Sequence, residues 1–360
     1  MRGAGHRRGD GEVQTGLMAS GSDKLTVGLV GATGLVGRVL IQEMERSRLP
    51  VNQLRLWATA RSAGCRIPFR GRRLSVREID PAEFIGCQLI FFSGTEGEKG
   101  ASRLYARQAV DSGSVVIDNG SDFRLDPKVP LVIPEVNARD LKSHRGLIAN
   151  PNCSTIQMVA ALAPIHRRFG LRRVVVSTYQ SVSGAGRSGL EALAYETANP
   201  KSSYAASPFA QRIAGNAIPD IGGLGEMEHT IEEWKMVREA RKILHDPKLS
   251  IAATAVRVPV AVGHAEAIYF ETRKKVSLGR LRTVLAGAPG IIYDRQGYRT
   301  PLEVAGRDGV FVSRLRPVPG SANSFLMWCL ADNIRKGAAT NAVQIAQLLY
   351  SQGMLPGSSP

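Results

Sequence analysis

From residue 24 onward, apolar residues recur with two alternating spacings. Residues 24–30, 54–58, 88–92 and 115–118 are short runs rich in Val, Ile, Leu and Phe, with the length and branching of buried strands. Between them, Val39, Leu40 and Met44 continue at helical intervals, and residues 98–112 have the same helical character. Strands and helices in alternation predict an α/β fold built on a parallel, doubly wound sheet, with a ligand beyond the carboxyl ends of the strands. At residues 150–157, Pro151 holds Asn150 extended. Ile156, Val159, Ala160 and Ala163 then follow at helical spacing until Pro164, where the helix is expected to stop. The second half predicts strands at 173–180 and 251–260 and helices at 191–197 and from 232 onward, an α+β arrangement. The polar stretch 199–207 reads as a surface or subunit-contact loop. Ala339, Val343, Ile345 and Leu349 mark a last helix over 336–350.

Composition narrows the class. At 360 residues, 43% hydrophobic and 22% charged, the chain has ordinary globular usage and room for two domains. No apolar run approaches the ~20 residues that span a bilayer, so a soluble, cytoplasmic protein without membrane partners is expected. Cys65, Cys87, Cys153 and Cys329 lie far apart, and the histidines form no ligand-spaced cluster, which argues for reduced thiols and no metal site. The net charge of +16 comes from scattered basic residues with few aromatics between them. That pattern argues against nucleic acid and suits phosphorylated and carboxylated small molecules, because a cleft of one sign concentrates the other. Residues 1–23 are Gly-rich and polar with no apolar signal-peptide core, and they are read as a disordered extension.

The first strand runs directly into Gly31-Ala32-Thr33-Gly34-Leu35-Val36-Gly37 and then a helix. Glycine at these positions allows a tight turn, close approach of a pyrophosphate to backbone N–H groups, and close helix packing, which together point to a dinucleotide. An NAD site usually has an acid about 20 residues further on, for the ribose 2′-hydroxyl. Here Arg61 and Ser62 stand instead, a guanidinium and a hydroxyl suited to a 2′-phosphate, so NADP is the expected cofactor. Ser93 and Gly94 end the 88–92 strand at the ligand side of such a sheet. Arg124 reads equally as a surface residue or an anion ligand.

Cys153 falls in the first turn of its helix, where the unpaired N–H groups and the partial positive charge can lower a thiol pKa. It is a candidate nucleophile; the alternative is a buried structural cysteine. Gln180 ends a strand and offers both donor and acceptor, although such a glutamine is commonly just exposed. Glu232 and Lys235 stand at i and i+3, as either an exposed salt bridge or paired ligands. Arg257 sits among apolar residues and needs an anionic partner, which a substrate carboxylate supplies. His264, read on a loop, titrates near neutrality and can exchange a proton with a thiol. A thiol, a nicotinamide platform, a histidine and a carboxylate-binding arginine together form the toolkit of aldehyde oxidation through a thioester.

The stretches at 30–37, 61–64, 150–155, 178–180, 232–235, 257–264 and 332–339 resemble the aspartate-β-semialdehyde dehydrogenase family, and the resemblance covers the chain from Lys24 to about Gln347. It implies Cys153 as nucleophile, His264 as general acid/base and Gln180 as orienter of the acyl group. It further implies Arg257 at the substrate carboxylate, Glu232 at its amino group, Arg124 and Lys235 at the phosphate, and Asn152 lining the same pocket. NADP is expected against Gly31, Thr33, Gly34, Leu35, Val36, Gly37, Arg61, Ser62, Ser93, Gly94, Gly184 and Asn333. The implied reaction converts β-aspartyl phosphate and NADPH to aspartate semialdehyde, NADP and phosphate, toward lysine (with diaminopimelate), threonine, methionine and isoleucine. Residues 24–152 with 333–360 are expected to form a Rossmann-type NADP-binding domain, and 153–332 a catalytic and dimerisation domain in a homodimer or dimer of dimers. N-acetyl-γ-glutamyl-phosphate reductase usually has glycine before its cysteine and tyrosine-proline after it, where this chain has Asn152 and Ser154-Thr155. A non-enzymatic NADP-binding regulator would be signalled by loss of the thiol or the histidine.

Overall fold

The computed structural model describes residues 24–94 and 100–357. The expected disordered extension at 1–23, and the start of the 98–112 helix, lie outside the described residues. In chain order the elements are β1 (Leu25–Val30), α1 (Leu35–Arg46), β2 (Val51–Ala58), β3 (Arg66–Phe69), β4 (Arg72–Glu78), β5 (Leu89–Phe92), α2 (Ala101–Asp111), β6 (Val115–Asp118), α3 (Pro134–Asn137) and β7 (Leu147–Ala149). Next come α4 (Cys153–Phe169), β8 (Leu171–Gln180), α5 (Gly186–Ala198), α6 (Ile231–Ile243), β9 (Ser250–Arg257), β10 (His264–Thr272), α7 (Leu278–Ala286) and β11 (Ile291–Tyr293). The chain closes with α8 (Pro301–Val304), β12 (Val310–Pro317), β13 (Ser324–Ala331), a π-helical turn (Arg335–Ala339) and α9 (Thr340–Ser351).

Two sheets carry the architecture. The first has the order β3-β4-β2-β1-β5-β6-β7 and is parallel except for the β3–β4 pair. Its central strands are buried on both faces, which is why they read as continuous apolar runs rather than as alternation. The second sheet is mixed, with the order β11-β12-β13-β10-β8-β9. One face of the first sheet packs under α1 and α9 through Leu29, Leu40, Met44, Phe91, Ile345 and Leu349. On its other face, α4 lies between the sheets, and Ile156, Ile165 and Phe169 share a core with Val116 and Ala149 of the first sheet and with Val174, Ile268 and Met327 of the second.

The structure corrects several expectations. Pro164 does not end its helix: α4 continues through it to Phe169. A helical proline costs about 3 kcal/mol, whereas burying Ile165 and Phe169 contributes about 1.5–3 kcal/mol each, so packing outweighs propensity. The last helix opens as a π turn, in which the N–H of Gly337 bonds to the carbonyl of Asp332 at 2.9 Å and that of Ala339 to Ile334 at 3.0 Å. Strand β9 ends at Arg257 rather than running on to Val260. His264 is the first residue of β10, not a loop residue, and it is wholly buried.

Candidate active site

Between the sheets lies a cavity of about 360 Å³, and Arg124, Asn152, Cys153, Gln180, Gly184, Glu232, Lys235, Arg257, His264 and Asn333 all line it. They come from five places: the loop after β6, the start of α4, the end of β8 and the loop after it, α6 with β9–β10, and the turn after β13. Val36 reaches the same cavity from α1. Thr33, Leu35, Arg61, Ser62, Ser93 and Gly94 are not among the lining residues and belong to the glycine turn and its surroundings.

The helix carrying the thiol is held at its first residue. Asn152 is the cap of α4: its Oδ1 accepts the N–H of Ser154 at 3.0 Å and of Thr155 at 3.2 Å. Its Nδ2 donates to Glu232 Oε1 at 2.8 Å, and its backbone N–H donates to Glu239 Oε2 at 2.7 Å. Glu239 also pairs with Arg124 Nη1 at 3.0 Å, so one buried carboxylate joins the arginine loop to the helix that begins at Cys153. Gln180 is not exposed but buried; its Nε2 donates to Ser154 Oγ and, at 2.9 Å, to Glu232 Oε1, while its Oε1 has no protein partner. With Glu232 Oε1 taken by two amides, Oε2 is the oxygen near Lys235, at 3.9 Å.

Electrostatics works against the helix start at the thiol. Burial first, and then the Glu232 carboxylate, push Cys153 up to about 12, although Arg257, Arg124 and the Ser154 N–H oppose them. The helix start is outweighed, and Cys153 rests as a neutral thiol. His264 is held well below the usual imidazole range by burial and then by the Arg257 charge. Its Nε2 has no protein partner. Arg257 is itself lowered by burial, with Glu232 opposing. Its Nη1 donates to the Ser181 carbonyl at 2.7 Å, and its guanidinium lies 5.8 Å from the Phe209 ring centroid.

Two glycines lie where an added side chain would crowd the cavity residues. A Cβ on Gly184 would lie 2.7 Å from Arg257 Nη1 and 3.4 Å from His264 Nε2; one on Gly337 would lie 3.0 Å from Cys153 Cβ. Asn333 is buried, and its Oδ1 accepts Ser181 Oγ at 3.0 Å, Ser183 Oγ at 3.2 Å and the N–H of Gly263 at 2.9 Å. The sequence reading missed Glu239, Ser181 and Gly337. Glu239 was within reach, because it continues the Glu232, Lys235 face of α6 at helical spacing. Gly337 and Ser181 carried no such signal.

The residues of the first sheet fit a dinucleotide. Gly31 has φ of +86°, and a Cβ there would come 2.7 Å from the Ser93 carbonyl carbon. A Cβ on Gly37 would lie 2.2 Å from the Gly31 carbonyl, so α1 can approach the turn only as glycine. Helix α1 starts at Leu35 with no acidic residue in its first turn, leaving its N–H groups to an anion. Arg61 and Ser62 form a short turn just beyond β2, with the arginine exposed. Among the described residues, no cluster of acidic, histidine or cysteine side chains could hold a metal ion, all four cysteines are free thiols, and no helix is long and apolar enough to cross a membrane.

Comparison with known proteins agrees with this geometry. Residues 26–144 match the family described as semialdehyde dehydrogenase, NAD binding domain, and residues 162–336 the one described as semialdehyde dehydrogenase, dimerisation domain. The aspartate-semialdehyde dehydrogenase of Aquifex aeolicus is 45% identical over 339 residues, 91% of this chain and 99% of its own. That of Bacillus subtilis is 42% identical over 339 residues, 90% of this chain and 97% of its own. The crystal structure of aspartate semialdehyde dehydrogenase II complexed with ASA from Vibrio cholerae superposes with a TM-score of 0.88 at 41% identity, covering 92% of this chain and 99% of that one. Agreement this extensive, in sequence and in backbone and through both sheets, means that the chain belongs to the aspartate-semialdehyde dehydrogenase family.

Proposed function

We propose that this chain catalyses the reversible, NADP-dependent reductive dephosphorylation of β-aspartyl phosphate to aspartate semialdehyde through a thioester on Cys153. The observation that carries this reading is a single cavity holding a helix-start thiol, a buried imidazole with its Nε2 unpartnered, and a desolvated arginine. NADP, held by Gly31, Thr33, Gly34, Leu35, Val36, Gly37, Ser93, Gly94, Gly184 and Asn333, with Arg61 and Ser62 at the 2′-phosphate, supplies the hydride chemistry when bound.

The other steps belong to side chains. In the oxidative direction, the S–H bond of Cys153 breaks as sulfur bonds the aldehyde carbon; the proton passes to His264 Nε2 and from there to the substrate oxygen, which returns it to His264 as the carbon reaches the acyl level, leaving it for the sulfur that departs later. A neutral thiol needs such a base, and one kept neutral by burial is ready at physiological pH. Gln180 orients the acyl group. A phosphate oxygen, held by Arg124 and Lys235, then attacks the thioester carbon, and the departing sulfur recovers a proton. Arg257, with one N–H on the Ser181 carbonyl, takes the substrate carboxylate as the anion its buried charge lacks. Glu232 Oε2 receives the substrate amino group, and Asn152 shapes the pocket while capping α4.

Residues 24–152 with 333–360 act as the nucleotide-binding part and 153–332 as the catalytic and dimerising part, in a cytoplasmic homodimer or dimer of dimers. Exposed Val175 and Tyr179 on the outer face of β8 support a dimer through the second sheet. The names of the full-length relatives favour this reading over N-acetyl-γ-glutamyl-phosphate reductase, and the retained thiol and imidazole favour it over a non-enzymatic regulator. The test is NADP reduction with aspartate semialdehyde, run with and without phosphate. Phosphate-dependent turnover is expected, and turnover indifferent to phosphate would overturn the assignment.

A further inference from the structure

His264 makes an unusual contact on the side away from the cavity. Its Nδ1 lies 3.0 Å from the backbone N–H of Ser181 and 3.0 Å from the hydroxyl of the same residue. A backbone N–H can only donate, so it fits the tautomer with a bare Nδ1 and the proton on Nε2. A hydroxyl can accept, so it fits the tautomer with Nδ1–H and a bare Nε2. In the second arrangement the hydroxyl passes its own proton contact on to Asn333 Oδ1, 3.0 Å away. Asn333 is fixed in turn by the N–H of Gly263 at 2.9 Å, one residue before His264. Ser181 is wholly buried, and Ser183 Oγ, 3.1 Å from its hydroxyl, is the other oxygen beside it.

We propose that Ser181 is a positioning residue that allows His264 to hold either tautomer, and that its hydroxyl, backed by Asn333, is what makes Nε2 a base. The inference rests on the reading of His264 as the acid/base. Only a ring with Nδ1–H has a lone pair on Nε2 for the thiol proton. The imidazolium that results also keeps Nδ1–H, and with only the Ser181 N–H opposite it two donors would face each other. The hydroxyl relieves that conflict. The proton taken from sulfur leaves again from Nε2 to the substrate oxygen, and the ring returns to its starting tautomer, so Ser181 gains and loses nothing. The charged and titratable groups around the ring are Arg257 of β9, and across the cavity Cys153 of α4, Glu232 and Lys235 of α6, and Arg124.

The experiment is alkylation of Cys153 by iodoacetamide across pH, without substrate, in wild type and in Ser181→Ala, Ser181→Thr and His264→Asn. Ser181→Ala keeps the backbone donor and loses the acceptor. At neutral pH its rate should fall about 100-fold and climb steadily with pH as hydroxide replaces the base, while Ser181→Thr restores the wild-type profile. A Ser181→Ala protein with the wild-type profile overturns the proposal. His264→Asn separates the two readings: if it alkylates like wild type, the acid/base assignment fails, and if it alone is slow, only the role of Ser181 fails. Should Ser181→Ala not fold, nitrogen chemical shifts of ¹⁵N-histidine in the wild-type protein decide. Both tautomers of His264 are expected, and a single Nε2–H form at every pH overturns the inference.

Discussion

The glycine turn and the reaction cavity solve the same problem, placing polar groups around a ligand, in opposite ways. In the turn the groups left for a ligand are backbone N–H groups of one short stretch, those of Gly31, Ala32 and Gly34 being taken by the carbonyls of Trp57 and Gly31, and close packing is secured by what is missing: no Cβ fits at Gly31 or Gly37. In the cavity the groups are side chains gathered from residue 124 to residue 333, and Asn152, Gln180 and Asn333 are each held by another side chain. A backbone cradle depends on local geometry and recognises a charge. A side-chain cradle can tune the protonation of its members, and this one does so by burying His264 and partly burying Cys153 while setting Glu232 and Arg257 beside them.

That contrast can be broken at the cavity first. Cys153→Ala should lower turnover by at least about 10⁴-fold while leaving NADPH affinity within a few-fold, since the turn is untouched. Turnover and cofactor titration measured on one preparation test this, and appreciable residual activity would remove the nucleophile from the scheme.

The next test concerns tuning. Because burial and the Arg257 charge disfavour the imidazolium, His264 stays neutral to below its usual range, so the acid limb of kcat/KM should lie below about pH 6.5. The thiol, pushed up to about 12, adds no ionisation of its own until far into the alkaline range. Removing the positive charge in Arg257→Gln should move the acid limb upward, because the imidazolium then loses a repulsive neighbour. An acid limb at or above the ordinary histidine value in the wild type would contradict the tuning.

The smallest change is expected at the rim of the backbone cradle. Arg61 is exposed, and a charge-assisted bond to a 2′-phosphate is screened there, so Arg61→Ala should weaken NADPH about tenfold and leave NADH nearly unchanged. Equal losses for the two cofactors would refute the 2′-phosphate role.

Much of this was legible in advance, for physical reasons that can be named. Strands buried on both faces announce themselves as unbroken apolar runs, and a turn that forbids Cβ atoms must write glycine. The cavity residues were legible as chemical types, but their surroundings were not. The helix was expected to stop at Pro164, but burial of Ile165 and Phe169 carries it on. Gln180 and His264 suggested exposed or loop positions, yet both are buried, at the end of β8 and the start of β10. The helix start suggested a lowered thiol, but desolvation and Glu232 outweigh it.

The residues near one another along the chain therefore decided the α/β platform, the glycine turn and the chemical kinds available for catalysis, because those depend on periodicity and on backbone sterics. Only the packed structure decided that Glu239 ties Arg124 to the helix that begins at Cys153, that Gly337 lies against Cys153, and that Ser181 faces His264 with both a donor and an acceptor. Those relations join residues up to 184 positions apart, since Cys153 and Gly337 meet across just over half the chain. Protonation follows from such neighbours and from exclusion of water, and neither is written in any local stretch of sequence.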